Sequence, residues 1–121
     1  MSQFKNVNVV YCYVRDWAGA KKFYRELLEW PVAYSDDNVG WEEYGLEKET
    51  HLAINRWDSP DAMPLVSATT VFTVEDAYKT TANLRGRGIQ CDDVVHIPGV
   101  VTYGTFYDPE GNRFQFASSS V

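Results

Sequence analysis

The sequence holds two cysteines, two histidines and no run of lysine or arginine, so it has little to offer metal, redox or nucleic-acid chemistry. Cys12 and Cys91 lie far apart without metal-binding or thiol-exchange spacing. Cys12 falls between Val10 and Val14 on an apolar strand face and reads as a buried, reduced core thiol. Acidic residues outnumber basic ones, 17 to 11, giving a net charge of −6. With no basic patch, nucleic acid is not an expected partner. No apolar stretch approaches the ~20 residues of a membrane span. The N-terminal residues lack a charged head, an apolar run and a small-residue cleavage site, so no signal peptide is expected and a cytoplasmic location fits. A G-x-S-x-G elbow, a P-loop and a dinucleotide fingerprint are all missing. The pairs Asp36-Asp37 and Asp92-Asp93 are adjacent, and strand neighbours point to opposite faces, so neither pair supplies two convergent carboxylates.

What the sequence does have is aromatic and apolar mass. Its 121 residues are 45% hydrophobic and carry 4 Trp, 8 Tyr and 6 Phe, enough for one compact domain with a real core. Val7 to Val14 reads as a strand. Asp16 is a helix N-cap, and from Trp17 the positions Ala20, Phe23, Tyr24, Leu27 and Leu28 form one helical stripe. Pro31 stops that helix by Trp30. Residues 31–35, 41–46 and 51–57 read as strands separated by turns, which makes a β-α-β-β-β module. Pro60, Pro64, Asp58, Ser59 and Asp61 mark a linker.

The pattern then restarts. Residues 68–74 read as a strand, Asp76 as a cap, and Ala77, Tyr78, Thr81 and Leu84 as a weaker helical stripe closed by Gly86 and Gly88. Three strands follow, at 89–97, 100–107 and 113–118. Between the last two, the segment from Asp108 through Pro109 and Gly111 to Asn112 is a tight hairpin turn. After it, Phe114 and Phe116 share the core-facing parity and Gln115 the other. Residues 9–16 match 69–76 at an offset of 60, and 50–56 resemble 112–118 at an offset of 62. A unit repeated in this way points to two copies packed together.

The Val14, Asp16, Phe23, Tyr24 opening and the closing segment from Asp108 to Phe116 resemble the vicinal oxygen chelate superfamily. That group includes glyoxalase, bleomycin-resistance proteins, fosfomycin-resistance thiol transferases and extradiol dioxygenases. The resemblance spans nearly the whole chain. It implies an α+β fold of paired βαβββ modules forming a cup-shaped, mainly antiparallel sheet with helices outside. Sites in the family are usually shared across a homodimer. The expected organisation is a single domain over 1–121, with module one at 1–57, a linker at 58–67 and module two at 68–121. One departure is the first helix end. The family closes it with Leu-Gly, whereas this chain has Leu28 followed by Glu29 and Trp30.

Metal-dependent members place His or Glu at four cup-facing positions. Mapped from the matching motifs, these are Val9, Thr69, Gln115 and either His51 or Ala53. Val9 cannot ligate, and Thr69 and Gln115 are weak neutral donors. The expectation is therefore no metal and no cofactor. The cup-facing parity brings up Tyr11, Tyr13, His51, Asn55, Thr69 and Gln115, with Tyr103 and Trp41 as possible walls. Apolar walls with a few placed polar groups suit a small molecule. Strand-forming Tyr and Thr would equally serve to fill the interior. The leading functional expectation is a metal-free protein binding an unidentified small molecule, of the bleomycin-resistance type. The alternative is a glyoxalase-type lyase or isomerase with His51 as base or metal ligand. His96 reads as an ordinary surface or edge residue.

Overall fold

The computed structural model describes residues 2–63, 68–107, 109 and 112–119. The chain divides into two compact units. The first is Asn8–Thr69, and the second combines Thr70–Val121 with Met1–Val7.

The first unit is built from β1 (Asn6–Val14), α1 (Trp17–Leu28), β2 (Val32–Asp36), β3 (Trp41–Tyr44) and β4 (His51–Arg56). Its strands are ordered β2-β3-β4-β1. β1 runs parallel to β4, and β2–β3 and β3–β4 are antiparallel. The Asp16 carboxylate caps α1 by accepting from the Gly19 N–H at 3.1 Å. At the other end Glu29 takes the left-handed conformation, φ 54°, and its N–H returns to the Arg25 carbonyl. Glu29 thus does what glycine does in the family pattern.

α1 lies on the sheet face that carries Glu42, Tyr44, Ile54 and Cys12. Glu42 is wholly buried there. Its carboxylate accepts from Arg25 Nε and Nη2 at 3.0 and 2.6 Å, from the Ser35 hydroxyl at 2.7 Å, and from the Tyr44 hydroxyl. A buried charge is tolerated when its lone pairs are filled in this way. Burial opposes ionisation of Glu42, but the bonds from Arg25, Tyr44 and Ser35 outweigh it and hold the carboxyl below its usual range. Burial and the same carboxylate push the Tyr44 phenol well up.

The second unit repeats the plan with β5 (Thr69–Thr73), α2 (Ala77–Gly86), β6 (Val95–Ile97), β7 (Val101–Tyr107) and β8 (Arg113–Ser118), its strands ordered β5-β8-β7-β6. β5 is parallel to β8, while β7 is antiparallel to both β6 and β8. Asp76 caps α2 through the Tyr78 and Lys79 N–H groups. The buried core joins Val74, Ala77, Leu84 and Phe116. Gly104 sits opposite Phe116, where a Cβ would come within 2.5 Å of the ring, so only glycine lets that ring lie flat on β7. Phe4, from the first residues of the chain, packs on Phe72, Phe106 and Phe116 at 5.2, 5.9 and 6.3 Å. The Lys5 N–H donates to the Thr73 carbonyl at 3.0 Å.

The α+β class with paired βαβββ modules is therefore what the chain adopts. The strand expected over 89–97 is shorter than the pattern implies. Only Val95–Ile97 forms β6, and Cys91 makes a single bridge to Phe106. The Asp92 N–H reaches the Thr105 carbonyl, so the charged stretch follows β7 without a continuous ladder. The turn expected at 108–112 lies largely outside the described residues, as do 64–67 of the linker.

Candidate functional site

Alternation along β3, β4 and β1 decides what occupies the face of the first unit opposite α1. Because Glu42, Tyr44, Ile54 and Cys12 face the helix, Trp41, Glu43, His51, Ala53, Asn55, Tyr11 and Tyr13 face the other way. The register sets Trp41 and Tyr13 beside Asn55, Glu43 and Tyr11 beside Ala53, and Val9 beside His51.

The rings on this face form a continuous row. Trp41 packs on Tyr11 at 4.9 Å, Tyr11 on Tyr13 at 5.5 Å, and Tyr13 on Trp57 at 5.0 Å between centroids. The last two contacts are edge-to-face, an arrangement favoured by the ring quadrupole. Tyr11 is buried, while Trp41, Tyr13 and Trp57 are half-buried. The Tyr11 and Tyr13 hydroxyls lie 3.4 Å apart. Asn55 Nδ2 donates to the Gly40 carbonyl at 2.8 Å, which braces the β2–β3 turn. The Trp57 indole N–H donates to the Asp61 carbonyl, as does Arg15, which ties the start of the linker to the end of the row.

Beside the row stands an acid–imidazole pair. Glu43 Oε1 accepts from the Trp41 indole N–H at 2.9 Å, and Glu43 Oε2 lies 2.6 Å from His51 Nδ1. His51 Nε2 lies 2.8 Å from the Leu46 carbonyl oxygen. A carbonyl only accepts, so Nε2 carries a proton, and the carboxylate on the other side favours a second. Burial works against the charged ring, but Glu43 and the Leu46 carbonyl prevail and raise the His51 pKa. Gly45 makes room for this ring: a Cβ there would meet His51 Cδ2 at 2.6 Å, and its φ is +141°.

Both ring nitrogens of His51 are thus engaged, and neither presents a free lone pair for a metal or a substrate proton. The register also resolves where the metal-dependent relatives' fourth position falls. Ala53 pairs with Tyr11, and Gln115 pairs with Val71, at the same place in the second unit. Ala53, not His51, is therefore the counterpart of Gln115. Among the described residues no group of three or more His, Cys, Asp or Glu is assembled for a metal ion. With Val9, Ala53, Thr69 and Gln115 at the four positions, the donor set does not fit the family's metal.

The other expected residues are placed as follows. Thr69 is buried at the start of β5. Tyr103, Thr105 and Gln115 share the face of the second unit opposite α2, and Gln115 Nε2 donates to Thr105 Oγ1 at 3.2 Å. His96 sits exposed on edge strand β6, with Nδ1 2.8 Å from Thr102 Oγ1. The sequence reading missed Glu43. Its signal was available, since two adjacent glutamates inside a strand, Glu42-Glu43, must put one carboxylate on each face.

Duplicated βαβββ units with the same strand order, and a helix covering one face of each, define a class of fold. The chain belongs to the Glyoxalase/Bleomycin resistance protein/Dioxygenase superfamily, whose family model matches residues 6–116. Methylmalonyl-CoA epimerase from Mycobacterium tuberculosis is structurally similar, with a TM-score of 0.78 at 12% identity over 100% of this chain and 92% of the other. A variant of the Streptomyces coelicolor methylmalonyl-CoA epimerase, in complex with 2-nitronate-propionyl-CoA, gives 0.74 at 14% identity over 98% and 99%. A superfamily member from Vibrio splendidus 12B01 gives 0.63 at 16% over 92% and 97%. At these identities the likeness is one of fold. No curated protein matches the chain. Among the described residues no helix is long and apolar enough to cross a membrane.

Proposed function

We propose that the protein is a cytoplasmic homodimer that binds a planar or amphipathic organic molecule without a protein-held metal. The ligand lies against the aromatic row of the first unit. The observation that carries this reading is the unbroken series Trp41, Tyr11, Tyr13 and Trp57 with the Glu43 carboxylate at its edge. Three half-buried rings offer faces for stacking, and Asn55 and Tyr13 supply polar atoms that orient a guest. A net charge of −6 and a carboxylate with spare acceptor capacity favour a cationic guest. Thr69 in this unit, and Tyr103 and Gln115 on the corresponding face of the second unit, are proposed as ligand-binding residues of their own units. The reading with His51 as a general base is less well supported, because both of its nitrogens are already committed.

The test is quenching of tryptophan fluorescence by a panel of cationic, neutral and anionic aromatic compounds. Cationic members should bind best. Tyr11→Ala should weaken the best of them at least tenfold, about 1.4 kcal/mol, and Glu43→Gln should erase the preference for positive charge. A best binder whose affinity survives both substitutions would overturn the placement of the ligand.

A further inference from the structure

The clasp around His51 has one more acceptor than a neutral ring can serve. Nδ1 faces Glu43 Oε2 at 2.6 Å, and Nε2 faces the Leu46 carbonyl oxygen at 2.8 Å. A carbonyl has no proton to give, and an ionised carboxylate has none either. A neutral imidazole carries one N–H, so it donates to only one of the two. Its other nitrogen would turn a lone pair toward an oxygen lone pair. The doubly protonated ring alone donates on both sides, so loss of one proton must open one of the two contacts.

The charges around the ring agree with this geometry. The Glu43 carboxylate comes from β3, and Glu49 and the Leu46 carbonyl come from the connection between β3 and β4; together they outweigh burial and raise the His51 pKa. β1 presents Val9, which is uncharged. Beside Glu43 the register sets Tyr34 of β2, whose phenol holds its proton above the usual range. The side chains of His51 and Glu43 are 16% and 21% exposed, so water screens the pair only in part.

Glu43 also joins this pair to the aromatic row. Its Oε1 accepts from the Trp41 indole N–H at 2.9 Å, and Trp41 packs on Tyr11 at 4.9 Å. A flat cation stacked on Trp41 therefore has its rim beside the same carboxylate. With His51 protonated, that cation meets a second positive charge already paired with Glu43. With His51 neutral, the carboxylate is left to the guest.

We propose that the His51 proton and a cationic guest compete for the Glu43 carboxylate, so that loss of the proton turns the aromatic row toward cations. This rests on the ligand reading above and adds its regulation. As the cation arrives, a proton leaves His51 for solvent, and the carboxylate exchanges one positive partner for another. By reciprocity, the proton weakens the cation by the same factor as the cation weakens the proton. For like charges near contact in a partly screened site, that factor is about tenfold. A neutral guest of similar shape makes no such exchange.

The experiment is calorimetry from about pH 6 to pH 9, on either side of the range where histidine titrates. The probes are N-methylquinolinium, a flat ring with a fixed charge, and 2-naphthylmethanol, a similar ring without one. Affinity for the cation should rise about tenfold across the His51 titration. Heats measured in phosphate and in Tris should differ, showing a proton release that peaks in mid-rise at about half a proton per guest. Affinity for the neutral ring should stay level. In the wild type, saturation with the cation should lower the His51 midpoint, read from the ring nitrogen shifts by NMR, by about one pH unit. His51→Gln should bind the cation at every pH as tightly as the wild type does at the alkaline end. A cation bound with one affinity throughout and without proton release overturns the competition and leaves the ligand reading standing. A pH dependence that survives in His51→Gln places the proton on another group and overturns the competition as well. No binding of the cation at any pH overturns the cationic ligand reading, and the competition falls with it.

Discussion

At the scale of single residues, two carboxylates one position apart behave in opposite ways because strand alternation sends them to different faces. Glu42 is shut away from water and held by Arg25, Ser35 and Tyr44. Glu42→Gln removes the charge that half-exposed Arg25 faces and should cost about 1–2 kcal/mol, since the guanidinium left behind can be hydrated, read from urea unfolding at neutral pH. Because the Glu42 pKa is lowered on folding, its contribution is present above about pH 4.5 and is lost as pH falls through the lower folded value. His51 runs the other way. Its folded pKa is raised, so the contribution is full below about pH 6.5 and is lost as pH rises through the folded value. The groups acting on the ring are Glu43, Glu49 and the Leu46 carbonyl. Thermal melts from pH 6 to pH 9 should show a fall in the wild type that His51→Gln lacks. Parallel pH profiles would mean that the imidazolium assigned to His51 is wrong.

At the scale of elements, sequence gave both helices to within two residues because caps and stripes are local signals. Asp16, Asp76 and Gly88 act within one turn of where they stand. What stayed hidden depended on pairing across distance. Which side of α1 its sheet would cover, the parity of Trp41 and Tyr103, and the choice between His51 and Ala53 all follow from register, which no single strand encodes. Residues 89–94 have strand composition, yet they hold to β7 only around Cys91, through the Asp92 N–H to the Thr105 carbonyl and the Tyr107 N–H to the Gln90 carbonyl. The α1 end is open to a direct test. Glu29 holds φ 54°, a conformation that costs a residue with a Cβ about 1 kcal/mol. Glu29→Gly should therefore stabilise the protein by about 0.5–1 kcal/mol, despite the added freedom of the unfolded chain. Glu29→Ala keeps the Cβ and should give no gain, so equal melting temperatures for the two variants would show that backbone strain is not what Glu29 bears.

At the scale of the molecule, the duplication was legible because each copy repeats a long order of signals. The membership of the chain's first residues was not. Counted by sequence they open module one, but residues 1–7 cluster with the second unit. The physical reason is a hydrophobic one. Phe4 packs its ring against Phe72, Phe106 and Phe116 at the second unit's core, and the Lys5 N–H fixes the segment to Thr73. No local pattern in Met1–Val7 announces a partner some 70 to 110 residues away, since loop closure over that distance adds little cost while ring burial returns more. Phe4→Ala should then cost about 2–3 kcal/mol, somewhat less than for a fully buried phenylalanine, and the loss should be local. Native-state hydrogen exchange is expected to quicken in β5, β7 and β8, elements far from residue 4 in the sequence. Protection lost evenly across β3, β4 and the second unit alike would instead make the N-terminal segment a general contributor to stability, and the assignment of Phe4 to the second core would fall.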